Sequence, residues 1–135
     1  MQAGRGREEV GAGSKNHSRC LVKVNRREDF SIYFVIAREV RIWFIGRRII
    51  TASQYKWEGR LAPSASLPET EEACAFAQAA SERFLPHPHC VMDVGQTADG
   101  SWKVIEFNTI HGAGWYAADP ACVLDAFLAH YAEGP

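Results

Sequence analysis

The chain has 135 residues, 47% of them hydrophobic and 23% charged, with a formal net charge of −1. These are the proportions of an ordinary soluble globular protein with one core. With a pI near 6.5 there is no overall basic excess of the kind that nucleic acid or an anionic membrane surface selects, so any anion must be held by a local site. The four cysteines, Cys20, Cys74, Cys90 and Cys122, are widely spaced without a CxxC pair, and no cleavable secretory segment precedes them. That pattern reads as reduced, mostly buried thiols of a cytoplasmic protein. The most apolar stretch, residues 32–45, is interrupted by Arg38, Glu39 and Arg41. It is shorter than the roughly 20 apolar residues of a membrane span and reads as strand.

Residues 1–28 contain seven Lys or Arg (5, 7, 15, 19, 23, 26, 27) against three Glu (8, 9, 28), a local charge of +4 with little apolar content. This is the composition of a flexible basic tail, leaving residues 29–135 as the folded domain. The segment Gly11 to Lys15, GAGSK, lacks the spacing of a phosphate loop and has no strand before it.

From Glu39 the sequence alternates with period two, placing Val40, Ile42 and Phe44 on one face and Glu39, Arg41, Trp43 and Ile45 on the other. Gly46-Arg47 suits a two-residue turn, and a regular return strand from Arg48 to Tyr55 adds Ile49, Thr51, Ser53 and Tyr55 to the first face. Residues 56–67 read as a connector. Ser66-Leu67-Pro68-Glu69 has the form of a capping box, and a helix to about Phe84 follows, with a stripe of Ala73, Phe76, Ala77, Ala80 and Phe84. A second hairpin is expected from Cys90 to Asn108 about Asp99-Gly100, which favours a type I′ turn. After a glycine-rich loop, Asp119-Pro120 reads as the cap and first residue of a helix burying Val123, Ala126, Phe127 and His130.

The second hairpin carries the chemistry. A two-residue loop sets Asp93 directly opposite Glu106, with Asn108 two residues further along the same face. Opposed like charges are destabilising and call for compensation. Two carboxylates and an amide oxygen suit Mg²⁺ or Mn²⁺, which keep few protein ligands and complete their shell with water and substrate phosphates. A hydrated hairpin face is the plainer alternative on geometry alone. His87 and His89 read as loop residues for want of a third ligand, His111 sits among glycines where a ligand can approach, and Trp115 and Tyr116 read as packing residues.

Val91 to Gly95, the hairpin, and Val104-Ile-Glu-Phe-Asn108 together resemble the D…ExN metal signature of ATP-grasp enzymes. Arg38-Glu-Val-Arg-Ile-Trp43, Ala52-Ser-Gln-Tyr-Lys56 and Asn108 to Asp119 resemble, in order, the clade of that superfamily named for two arginines and one lysine. The resemblance implies the C-terminal half of an ATP-grasp fold: α+β, antiparallel hairpins with two helices packed on one face and the other left for Mg-ATP. It implies ATP-dependent carboxylate-amine ligation through an acyl phosphate, with Asp93, Glu106 and Asn108 as metal ligands. Arg41 is then a candidate for the phosphate or acyl-phosphate charge, Glu39 for orienting Arg41, and Lys56 for reaching the same anion. An ATP-grasp enzyme also requires a preceding lobe, with its own lysine and adenine pocket, for which residues before 32 offer too little. A partial ligase lobe is therefore one expectation, and a non-catalytic nucleotide-binding or interaction module the other.

Overall fold

A computed structural model describes residues 20–25 and 31–134, with side chains from residue 35 onward. Its strands are β1 (Cys20–Asn25), β2 (Ser31–Ile45), β3 (Arg48–Trp57), β4 (Arg60–Ser64), β5 (Cys90–Thr97) and β6 (Trp102–Asn108). The helices are α1 (Pro68–Arg83) and α2 (Pro120–Ala132), and a single 3₁₀ turn spans Ile110–Gly112. All strand pairings are antiparallel, in the order β4-β3-β2-β5-β6, with β1 pairing the first part of β2. β1 lies inside the stretch whose composition suggests a tail; Leu21, Val22 and Val24 supply enough local strand propensity for six paired residues. The GAGSK segment lies outside the described residues.

The α+β class, with antiparallel hairpins and two helices, is the observed one. The placement of α2 differs from expectation. Val40, Ile42 and Phe44 of β2 and Met92 and Val94 of β5 are fully buried beneath Ala73 and Ala77 of α1. Trp43, Ile45 and Val91 point to the opposite face, where Val123 of α2 and Ala113 and Ala118 of the preceding loop cover them. One helix therefore lies on each face. The central strands β2 and β5 are apolar on both sides at this end of the sheet, which demands cover on both.

β2 and β3 are joined by Gly46-Arg47, both at positive φ (56° and 66°), the conformation of a type I′ turn. The return strand is not regular. Phe44 pairs with Ile49, Trp43 with Thr51, Arg41 with Ser53, Val40 with Gln54 and Glu39 with Lys56, so Ile50 and Tyr55 are extra residues at two bulges. The first bulge moves Thr51 and Ser53 from the Val40 face to the Arg41 face, opposite to the regular reading. The segment read as a connector holds another hairpin: Glu58 and Gly59 turn at positive φ and β4 returns as an edge strand, where Pro63 is tolerated.

α1 begins at Pro68 behind Leu67, with no side-chain cap, so the Ser66 capping box does not form. Thr70 and Ser81 are buried beside Ala73 and Ala77, whereas Phe84 lies past the end of the helix, 61% exposed, with its ring edge-on to Phe107. α2 starts as expected, with the Asp119 carboxylate accepting the Ala121 N–H at 2.9 Å. Of its expected buried residues Val123 is buried and Ala126 and Phe127 are partly so, but His130 is exposed. Among the three cysteines whose side chains are described, all free, Cys90 is buried, Cys74 half-buried and Cys122 exposed.

Candidate functional site

β5 and β6 meet with Asp93 paired to Glu106, as the sequence predicts, although the turn is not the predicted one. Gly100 N–H donates to Thr97 O and Thr97 N–H to Ser101 O, with Gly100 alone at positive φ (86°). The loop is therefore Ala98-Asp99-Gly100, one residue longer than a type I′ turn, and the register above it is offset by one. A bulge at Ile105 removes the offset before Asp93 is reached. Two departures cancel, and the constellation survives.

What surrounds Asp93 is different from expectation. β2 lies on its other side, and Arg41 is its cross-strand partner there. Arg41 Nε donates to Asp93 Oδ1 at 2.8 Å and Nη2 to Oδ2 at 2.7 Å, a two-pronged pair whose carboxylate is wholly buried. Arg41 Nη1 donates to the Gly114 carbonyl at 3.2 Å, and the Tyr55 hydroxyl reaches Asp93 Oδ2 at 3.4 Å. Burial pushes the Asp93 carboxyl up, Arg41 pulls it down, and Glu106 adds to the upward push. Arg41 itself is held well above its ordinary value, chiefly by its hydrogen bonds to Asp93. The charge expected to be balanced by a cation is thus already balanced by a guanidinium.

The remaining predicted residues fall around this pair. Glu39, nearly fully buried, meets Lys56 Nζ at 3.2 Å, while Asp93 holds Arg41. Burial and then the charges of Asp93 and Glu39 push the Tyr55 hydroxyl far up, so it remains protonated and able to donate. Glu106 is exposed, with Asn108 Nδ2 at 3.3 Å from its Oε1. Arg38, in the same motif as Arg41, points to the other face, stacked over Trp57 and 3.3 Å from Glu69.

Several contributors were not legible in the sequence. Tyr55 reaches the site because it is the extra residue of the second bulge. Tyr116, at positive φ (52°), stacks on Tyr55 with centroids 5.1 Å apart, and Arg41 lies 5.1 and 5.3 Å from the two rings. Ser53 Oγ accepts the Ala117 N–H at 3.1 Å, and Trp115 stacks flat on Trp43, so the loop before α2 is tied down over the pair. The local signals were the segments Ala52-Ser-Gln-Tyr-Lys56 and Asn108 to Asp119, the second with Trp115 and Tyr116 read as packing residues.

A divalent cation fits part of this set. Glu106 and Asn108 are adjacent, reachable from solvent and, with the amide rotated, both oxygen donors. Asp93 in its present pairing has both oxygens engaged by Arg41. Among the described residues no three His, Cys, Asp or Glu side chains are grouped to hold a metal.

An antiparallel sheet flanked by a helix on each face thus carries an arginine, two carboxylates and an asparagine on one side. The chain belongs to the third family of ATP-grasp domains in the clade named for two arginines and one lysine, which it matches over residues 13–128. In fold it is similar to the ATP-grasp ligase PsnB, solved in complex with a minimal precursor, at a TM-score of 0.50 and 21% identity. That likeness covers 73% of this chain and 36% of the PsnB chain. No curated protein sequence matches it. No helix among the described residues is long and apolar enough to cross a membrane.

Proposed function

We propose that this domain is one lobe of an ATP-dependent carboxylate-amine ligase, holding the phosphates of Mg-ATP on the face that carries Arg41, Glu106 and Asn108. The observation that carries the reading is the Arg41 guanidinium held on Asp93, with a carboxylate and amide pair on the same face of the neighbouring strand β6, in a chain of this family. Glu106 and Asn108 supply the exposed ligands for Mg²⁺ or Mn²⁺, and the metal supplies charge neutralisation between phosphate oxygens. Asp93 would complete the ligand set if Arg41 exchanged it for a phosphate, one anion for another, so that the guanidinium would stay paired.

In this reading the substrate carboxylate attacks the terminal phosphorus, giving an acyl phosphate and ADP, and an amine then displaces phosphate to form the amide. Arg41 stabilises charge on the transferred group, Lys56 reaches the same anion on exchange from Glu39, and Tyr55 keeps a proton available to a phosphate oxygen. Adenine and the other phosphate contacts belong to a second lobe, and cytoplasmic ATP is the donor. A non-catalytic nucleotide-binding or interaction module is the second reading. It is favoured by the engagement of both Asp93 oxygens.

Thermal unfolding with Mn²⁺ and ATP tests the site. Binding to the folded state raises the melting temperature in proportion to the logarithm of occupancy. The shift should be lost in Glu106→Gln and in Asn108→Ala, both at half-buried or exposed positions. Equal shifts in wild type and both variants would remove the metal assignment. ADP release should be slight with this chain alone and recovered when an ATP-grasp N-terminal lobe is supplied; recovery that survives Arg41→Ala would remove its assigned role.

A further inference from the structure

Asn108 also lines a cavity of about 890 Å³ at the end of the sheet. The volume is within the roughly 300–1,000 Å³ of small-molecule sites. Its floor and walls come from separate parts of the chain: Phe107 from β6, Ile110 from the 3₁₀ turn, Phe127 and Tyr131 from α2. Phe127 lies 5.0 Å from Tyr131 and 4.9 Å from His89 between ring centroids, each pair tilted, an arrangement that offers both ring faces and ring edges to a further aromatic ring. Tyr131 is 64% exposed, so its ring is a wall rather than part of the core.

The lining contains no Asp, Glu, Lys or Arg. Its polar side chains include the amide of Asn108, the hydroxyl of Thr109, the thiol of Cys90 and imidazoles. Of these, His89 has Nδ1 occupied by the Gly46 N–H at 2.9 Å and is driven toward its neutral form by burial and by His130 and His87. A charged group placed among the aromatic rings of this cavity would find no opposite charge to replace its hydration. An uncharged ring would replace water along three aromatic walls. Asn108, whose amide is 3.3 Å from Glu106, lines the same cavity.

We infer that this cavity binds the side chain of an aromatic carboxylic acid, with its carboxylate directed to Asn108, Thr109 and His111 at the edge of the phosphate face. The direction of the carboxylate rests on the proposed function; the preference for an uncharged aromatic group rests on the cavity alone. Asn108 is then shared between the metal and the substrate pocket. That places the acid where its carboxylate can be phosphorylated.

Amide proton–nitrogen spectra of the full chain titrated with 3-phenylpropionate, succinate and phenethylamine test this. The acid with the ring should shift the amides of Thr109, Ile110 and His111, while succinate at the same concentration leaves them in place. Tyr131→Ala, at an exposed position, should weaken binding by about tenfold, equivalent to about 1.4 kcal/mol. His111→Glu should weaken it by a comparable factor through charge repulsion, yet leave phenethylamine unaffected or stronger. Equal shifts with succinate, binding of phenethylamine but not the acid, or indifference to Tyr131→Ala would each overturn the inference. So would movement of the same amides with protein concentration alone, because a second copy would then be the occupant. Mn²⁺ added without acid should broaden the Glu106 and Asn108 resonances. If it does not, while 3-phenylpropionate still binds, the phosphate-face reading falls and the pocket stands; broadening without acid binding gives the reverse.

Discussion

Replacing Arg41 by alanine isolates the energetics of the site from any ligand. In the wild type, Arg41 makes two hydrogen bonds of 2.7 and 2.8 Å to a carboxylate that has no solvent exposure. Removing one partner of such a pair leaves a buried charge uncompensated and costs about 3–5 kcal/mol, more than the net value of the pair itself. At roughly 4 °C of melting temperature per kcal/mol for a domain of this size, the loss is on the order of 10–20 °C at neutral pH. It should also depend on pH. Without Arg41, the influences left on Asp93 from burial and Glu106 both act upward, so its folded-state pKa lies above the ordinary 3.8. The folded variant then binds more protons than the unfolded chain between those two values, and its stability falls as pH rises through that window. The deficit relative to wild type should be smallest near pH 4 and full above the folded-state pKa. Arg41→Met combined with Asp93→Leu, which removes both charges, should recover much of the loss. Chemical denaturation monitored by circular dichroism from pH 4 to 8 gives each quantity. A single-variant loss below about 1 kcal/mol, the range of an exposed pair, or one that does not vary with pH, would refute the account of a buried pair.

His89 makes a second pH-dependent contribution. The folded-state pKa of His89 is lowered from 6.5, first by burial and then by His130 and His87, so its contribution is present above about pH 6.5 and is lost as pH falls through the lowered value. His89→Gln should flatten that part of the profile. Asp119→Ala removes the cap on the Ala121 N–H and should cost about 0.5–2 kcal/mol. The loss should appear as faster amide exchange in the first turn of α2 and leave α1 unchanged.

Local patterns reached a long way in this protein. The two-residue turn at Gly46-Arg47, the alternation along β2 and the Asp119-Pro120 start of α2 all follow from neighbours within a few residues, and all are present in the structure. The family resemblance likewise rested on ordered short motifs. What period-two counting lacks is any signal for an inserted residue. The bulge after Ile49 turned Ser53 to the opposite face from the one expected, and the bulge at Ile105 preserved Asp93 only by offsetting a longer loop. The burial of a strand on both faces is equally non-local: Trp43 and Ile45 alternate with Phe44 in a way that suggests one apolar and one mixed side. Only the arrival of α2 and of the loop carrying Trp115 made both sides core. Most consequential is the partner of Asp93. A carboxylate's nearest charge within its own hairpin is Glu106, and that hairpin by itself calls for a cation. The sheet order set β2 on its other flank, and so the counter-charge came from Arg41, 52 positions away in the sequence, a distance across which no local propensity acts.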